Sequence, residues 1–211
     1  MADRQEKKSG KEQIIENYER QKQRYLENGY EECQEVISIV KANIMVFVTA
    51  GPFAVLEILL WIFIRRKEPA VFSLYDMNYV LLFLLFLASI FVHEVLHGVG
   101  WGIWTKQKIK SIYLGIMWAY LTPYCHCKEP LTPKCYLCGV LMPFGVLGIG
   151  TYILAAVMGS NLLLLLSVYN ILCAGGDTTI ACMLWKYLDR QDCYILDHPT
   201  DCGFVAFVKP L

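Results

Sequence analysis

Between Tyr79 and Gly102 the chain runs apolar with one carboxylate and no lysine or arginine, and inside this run stands His93-Glu94-Val95-Leu96-His97. A stretch so long and so apolar is expected to be a helix crossing the hydrocarbon of a bilayer. Residues four apart lie one above the other on a helix face, so His93 and His97 can both turn an imidazole nitrogen onto one metal ion. Glu94 flanks that pair, where it can hold and deprotonate a water but not readily become a third ligand. In a soluble helix these three side chains would read equally well as hydrogen-bonded members of a bundle. At membrane depth an ionisable group costs on the order of 3 kcal/mol, and three within five residues are expected to be there for function.

The rest of the sequence agrees with a membrane setting. Its 56% hydrophobic residues and mean hydropathy of +0.41 are too apolar for an ordinary soluble domain of 211 residues. Nineteen basic residues are balanced by nineteen acidic ones, and no basic stripe follows a phosphate backbone, which argues against nucleic acid as a partner. The partners expected instead are the bilayer and a membrane-associated protein or peptide. Nine cysteines, most within or beside the apolar runs, are expected as reduced thiols. The start of the chain is charged, without the pattern of a signal peptide.

Three regions follow. Residues 1–43 form a charged amphipathic segment, with Ile14, Ile15, Tyr18, Tyr25 and Tyr30 at roughly helical spacing before residue 36, expected as a solvated or interfacial helix. Residues 44–188 form the transmembrane core, with spans at 44–64, 79–102, 136–158 and 162–184. Residues 189–211 are a tail. Within the core, the loop 103–135 is β-branched and aromatic around Gly115, which predicts a short β-hairpin-like insertion, with a re-entrant loop as the alternative. Lysines in this loop and the basic residues of both ends favour termini on the cytoplasmic side, whereas Arg65, Arg66 and Lys67 vote the other way. The fold expected is an all-α polytopic membrane protein of about four spans.

Two histidines leave zinc short of donors. The best further candidate is Asp177 in Gly175-Gly176-Asp177-Thr178. His93 lies 14 residues after Tyr79, and Asp177 lies 15 after Leu162, in two spans that must run in the same direction. At the rise of a helix both sit roughly 21 to 23 Å from the same face. Gly175 and Gly176 permit close helix approach or local unwinding. The plainer alternative is an aspartate near a helix end that reaches water. Asn170, two turns earlier, can hydrogen-bond a substrate carbonyl or its oxyanion, or simply tie helices together. Cys125, Cys127, Cys135 and Cys138 have the paired spacing of a structural zinc knuckle, although the second pair opens an apolar helix. Asp197 and His198 can return to the site as ligand or shuttle, or build a turn with Pro199. Glu57 is an intramembrane carboxylate, and Pro52 and Pro143 are expected to kink their helices.

The His-Glu-x-x-His helix, the β-rich connection and the glycine-flanked aspartate together resemble the core of site-2 type intramembrane metalloproteases. Phe91 to Gly98, Gly175-Gly176-Asp177 and Leu196-Asp197-His198-Pro199-x-x-Cys202-Gly203-Phe204 are more closely similar to a family of small bacterial membrane zincin peptidases of unknown substrate. The resemblance covers roughly residues 79–207. It implies one catalytic zinc on His93, His97 and Asp177, with Glu94 as base. The sequence departs from site-2 proteases in one place: they carry Asn-Pro-Asp-Gly or similar, whereas Asp177 follows two glycines and precedes threonine.

The expectation is a zinc-dependent peptidase of the cytoplasmic membrane, with its active site toward the cytoplasm, in which Glu94 moves the proton and Asn170 faces the carbonyl. Two other classes compete. A membrane metal-binding or transport protein would use His93, His97, Asp177 and Glu57 as a path. A non-catalytic interaction protein would act through its charged arm.

Overall fold

The computed structural model describes residues 10–68, 71, 77–117 and 122–210. Residues 4–8 of the charged start and 118–121 of the aromatic run lie outside the described residues.

The chain is mostly helical, but its two ends come together as a sheet. Helix α1 (Gly10–Glu27) leads into strand β1 (Glu31–Val36), and the tail forms β4 (Cys193–Asp197) and β5 (Gly203–Val208). They pair antiparallel in the order β1-β5-β4, with Cys33 opposite Ala206 and Ile195 opposite the same Ala206. An all-α fold is therefore too narrow, and the helix expected through residue 36 stops at Glu27. The tail is plain in retrospect: Phe204 to Val208 is a β-branched and aromatic run that folding buries entirely. Strand β1 offers no such pattern. Two of its three glutamates face partners outside the sheet, Glu32 pairing Lys22 at 2.7 Å and Glu35 pairing Lys186 at 2.6 Å. Helix α1 lays Ile14 and Tyr18 inward, Tyr18 against Leu196, Val205 and Phe207, while Ile15 stays exposed.

Three helical stretches are long and apolar enough to cross a membrane: Ile39–Arg65, Tyr79–Gly102 and Pro133–Met158. The first comprises α2 (Ile39–Thr49) and α3 (Gly51–Arg65), beginning five residues before the expected 44. Pro52 sits in the first turn of α3, where a missing N–H costs nothing. The second is α4 (Tyr79–Gly102), opened by the Asn78 side chain accepting from Leu81 N–H at 2.9 Å. The third runs from α5 (Pro133–Pro143) through a π-helical segment, Phe144–Gly150, into α6 (Thr151–Met158). Gly159, at φ 65°, ends α6. Then α7 (Asn161–Cys173) and α8 (Gly175–Leu184) follow, bent by 44° at a break on Ala174; they reach spanning length only when taken as a pair. Phe47, Phe63, Val80, Phe83 and Val157 point outward and exposed, as lipid requires and water would not favour.

Between α4 and α5, strands β2 (Ile112–Met117) and β3 (Thr122–Cys127) pair antiparallel, with Leu114 opposite Cys125. This pair leans on α4 at Gly98, where an added Cβ would already lie 3.1 Å from Ile112 and 3.6 Å from Cys125.

Candidate metal centre

Helix α4 aims its two histidines through a contact made by α5. The helices cross closely at two glycines: a Cβ on Gly100 would come within 2.7 Å of the Gly139 Cα. At that crossing His97 Nδ1 lies 2.9 Å from the carbonyl oxygen of Gly139. A helical carbonyl ordinarily accepts from the N–H four residues on, and four residues after Gly139 is Pro143, which has none. Pro143 therefore leaves the Gly139 oxygen free for the imidazole. With Nδ1–H donating there, Nε2 keeps its lone pair for a metal. One turn further, Trp101 stacks on His97 at 5.2 Å, and its indole N–H donates to the Tyr136 carbonyl at 2.9 Å.

Asp177 arrives from the first turn of α8. The break at Ala174 lets Gly175 press on α2, where any Cβ would meet Val46 at 2.6 Å. The Gly175 carbonyl is surrounded by hydroxyls, Thr179 at 2.8 Å, Thr178 at 3.0 Å and Thr49 at 3.3 Å. These contacts fix the first turn of α8 against α2. Asp177 Oδ2 then lies 3.0 Å from His93 Nε2, Oδ1 lies 3.3 Å from His97 Nε2, and the two Nε2 atoms are 3.2 Å apart.

This donor set fits zinc. Atoms bound at about 2.0–2.1 Å on a tetrahedral ion stand roughly 3.3 Å from one another. Asp177 Oδ2 is shielded from solvent yet makes no aligned hydrogen bond to any described group. A buried carboxylate oxygen left so, facing imidazole nitrogens, is chemically short of a cation. Among the described residues, His93, His97 and Asp177 are the one group of three such side chains that converges.

The other sequence candidates fall at different places. Glu94 is half-buried and faces a cavity of about 400 Å3 that it shares with Phe91, Val95, Leu114, Ile116 and Tyr124. Asn170 is buried in α7, and its amide nitrogen has no partner among the described residues. Glu57 does not join the cluster. Both its carboxyl oxygens lie within 3.0 Å of the Ser167 hydroxyl, on α7. The four-cysteine knuckle does not form. Cys127 is buried and hydrogen-bonds the Glu129 carbonyl, whereas Cys138 is exposed on α5, and all nine cysteines are free thiols.

Asp197 turns out to be an anchor next to the site. Its carboxylate accepts from the Tyr136 hydroxyl and from Cys127 N–H at 2.6 Å, so the tail is fastened to α5 and β3 at once. His126 Nδ1 stands 3.8 Å away, and burial, outweighing the pull of Asp197, holds its imidazole below the ordinary histidine range. His198 builds the turn, its Nδ1 accepting from Asp201 N–H at 2.9 Å. The sequence marks Pro143 as a kink only, and neither Gly139 nor Tyr136 stands out in it. The spacing of a proline four residues after a glycine was the available signal for one freed carbonyl.

The profile of the family described as "Putative zincin peptidase" matches residues 86–191, half of the chain. No curated protein and no solved structure gives a match.

Proposed function

Because the chain belongs to the family described as "Putative zincin peptidase", we propose that it is a zinc-dependent peptidase working in or near the membrane, related to the site-2 type. The observation that carries this reading is the convergence of three side chains from α4 and α8: the two imidazole Nε2 atoms stand 3.2 Å apart, and each lies 3.0 to 3.3 Å from one carboxylate oxygen of Asp177. His93, His97 and Asp177 would hold the ion. A zinc ion so held polarises a carbonyl and lowers the pKa of water to about 7.

The remaining work belongs to side chains. Glu94, adjoining His93 on α4, takes a proton from the attacking water on its carboxylate and returns it to the departing amine. Asn170 offers its unpaired amide N–H to the carbonyl oxygen as charge develops there. The cavity beside Glu94 is walled by Leu114, Gly115 and Ile116 of β2, so an unwound peptide segment can lie along this strand as an added one. Apolar walls exclude bulk water from the segment and strengthen each charge interaction.

In this reading α7 and α8 form a single bent pass, which makes four passes and puts both ends of the chain on one side. All basic residues except Arg65, Arg66 and Lys67 then share that side, which supports a cytoplasmic orientation. The substrate is a membrane-associated protein or peptide, not a nucleic acid.

The test is the purified full chain in lipid nanodiscs, offered a panel of single-span model peptides, with Glu94→Gln beside the parent. The variant should keep its zinc and lose cleavage by about a hundredfold or more. Cleavage by Glu94→Gln at the parent's rate would remove the proposed base.

A further inference from the structure

A second cavity, of about 480 Å3, opens between α1 and the loop that follows α4, and no metal-centre residue lines it. Its walls carry Arg20, Arg24, Lys106, Lys110 and Lys128 against one carboxylate, Glu129. That carboxylate is already engaged. It accepts from the backbone N–H groups of Lys106 at 2.8 Å and Gln107 at 3.2 Å, and from the Ser111 hydroxyl. None of the five cations belongs to an ion pair among the described residues. The cavity is also built, not a chance gap: Asn17 donates from its amide to the Lys128 carbonyl at 2.7 Å and accepts from Arg20 at 2.7 Å, which pins the helix to the loop. Five like charges held around one space repel each other until an anion enters it.

The surroundings say where that anion comes from. Lys106 to Lys110 follow directly on the end of α4, and their neighbours Ile103, Trp104 and Ile109 are 52%, 51% and 82% exposed. Apolar and tryptophan side chains left bare at the end of a spanning helix belong at the level of lipid headgroups. We infer that this cavity seats the phosphate of an anionic phospholipid headgroup, gripped by Arg24, Lys106 and Lys110. Clusters of basic side chains just outside a membrane helix attract anionic lipid in this way. The inference rests on the chain lying in a membrane and is independent of its zinc chemistry.

Native mass spectrometry of the full chain in neutral detergent, titrated with phosphatidylglycerol or phosphatidylcholine, tests it. The parent should bind phosphatidylglycerol in preference. Arg24→Gln/Lys106→Gln/Lys110→Gln, all at exposed positions, should weaken that binding about fivefold per charge, on the order of a hundredfold in total. Arg66→Gln/Lys67→Gln, at the far end of the α3 helix, should leave it unchanged. Equal retention of both lipids by the parent, or equal loss in both variants, would overturn the site. Inorganic phosphate binding as tightly as phosphatidylglycerol would overturn the lipid as its occupant.

Discussion

Asp177 and Asp197 each bring a carboxylate toward an imidazole, at 3.0 Å from His93 in one case and 3.8 Å from His126 in the other. Around Asp197 the protein supplies every donor needed, with the Tyr136 hydroxyl on one oxygen and Cys127 N–H on the other. Around Asp177 the near groups are the two imidazole Nε2 atoms, and Oδ2 is left without an aligned bond among the described residues. The first arrangement is complete and can only hold parts of the fold together. The second is incomplete and invites a cation. The contrast shows that a His–Asp pair read from sequence acquires its meaning from who satisfies the carboxylate, not from the pair itself.

The sharpest way to break this contrast is to remove each carboxylate in turn. Asp177→Ala should abolish zinc binding, with elemental analysis falling from about one ion per chain to near none, because two histidines alone do not complete the site. Asp197→Ala should do the reverse. It strands a buried hydroxyl and a buried N–H, at about 1–3 kcal/mol each, and for a chain of this size the melting temperature should drop on the order of 10 °C. Zinc should remain. Loss of zinc from a folded Asp197→Ala protein would erase the distinction.

A subtler intervention acts on the orientation of His97. Pro143→Ala supplies an N–H aimed at the Gly139 carbonyl, where it competes with His97 Nδ1. Outer contacts of this kind are worth roughly tenfold to a hundredfold in metal affinity, and a tenfold loss is expected here. Pro52→Ala makes the control, because it opens α3, a helix that carries none of the three candidate ligands and not the Gly139 carbonyl. Zinc titration of both variants checks the point, and unchanged affinity in Pro143→Ala would detach the proline from the site.

The convergence of His93, His97 and Asp177 was legible in the sequence because it follows from helix arithmetic. Four-residue spacing set His93 beside His97, and the depth expected for Asp177 in a fourth apolar run agrees with its place beside both. The apolar run at 79–102 coincides with α4 because no lysine, arginine, proline or second carboxylate interrupts it around the motif. The sheet was not legible as a whole. β5 has strand composition, but its central place depends on β1, a glutamate-rich segment held from outside by Lys22 and Lys186. No local pattern encodes partners more than a hundred residues away. The Gly139 carbonyl was missed for a different reason, since a backbone oxygen carries no side-chain signature.

The smallest effect lies on the structural side of the contrast, at His126. Burial, more than Asp197 offsets, keeps its folded-state pKa below the ordinary value of 6.5. The unfolded chain therefore binds a proton that the folded chain refuses between those two values. Stability from this group is present above pH about 6.5 and is lost as the pH falls toward the folded pKa, at no more than about 1.4 kcal/mol per pH unit. Zinc ligands also take up protons in acid, which would add their own slope. The measurement is therefore made on the Asp177→Ala background, comparing melting at about pH 7.5 and 5.5 with and without His126→Gln. The second substitution should flatten the acid-side loss by a few degrees, about what one proton is worth in a chain of this length. An identical acid slope in both proteins would mean that His126 is already solvated, and that Asp197 holds the tail through Tyr136 and Cys127 alone.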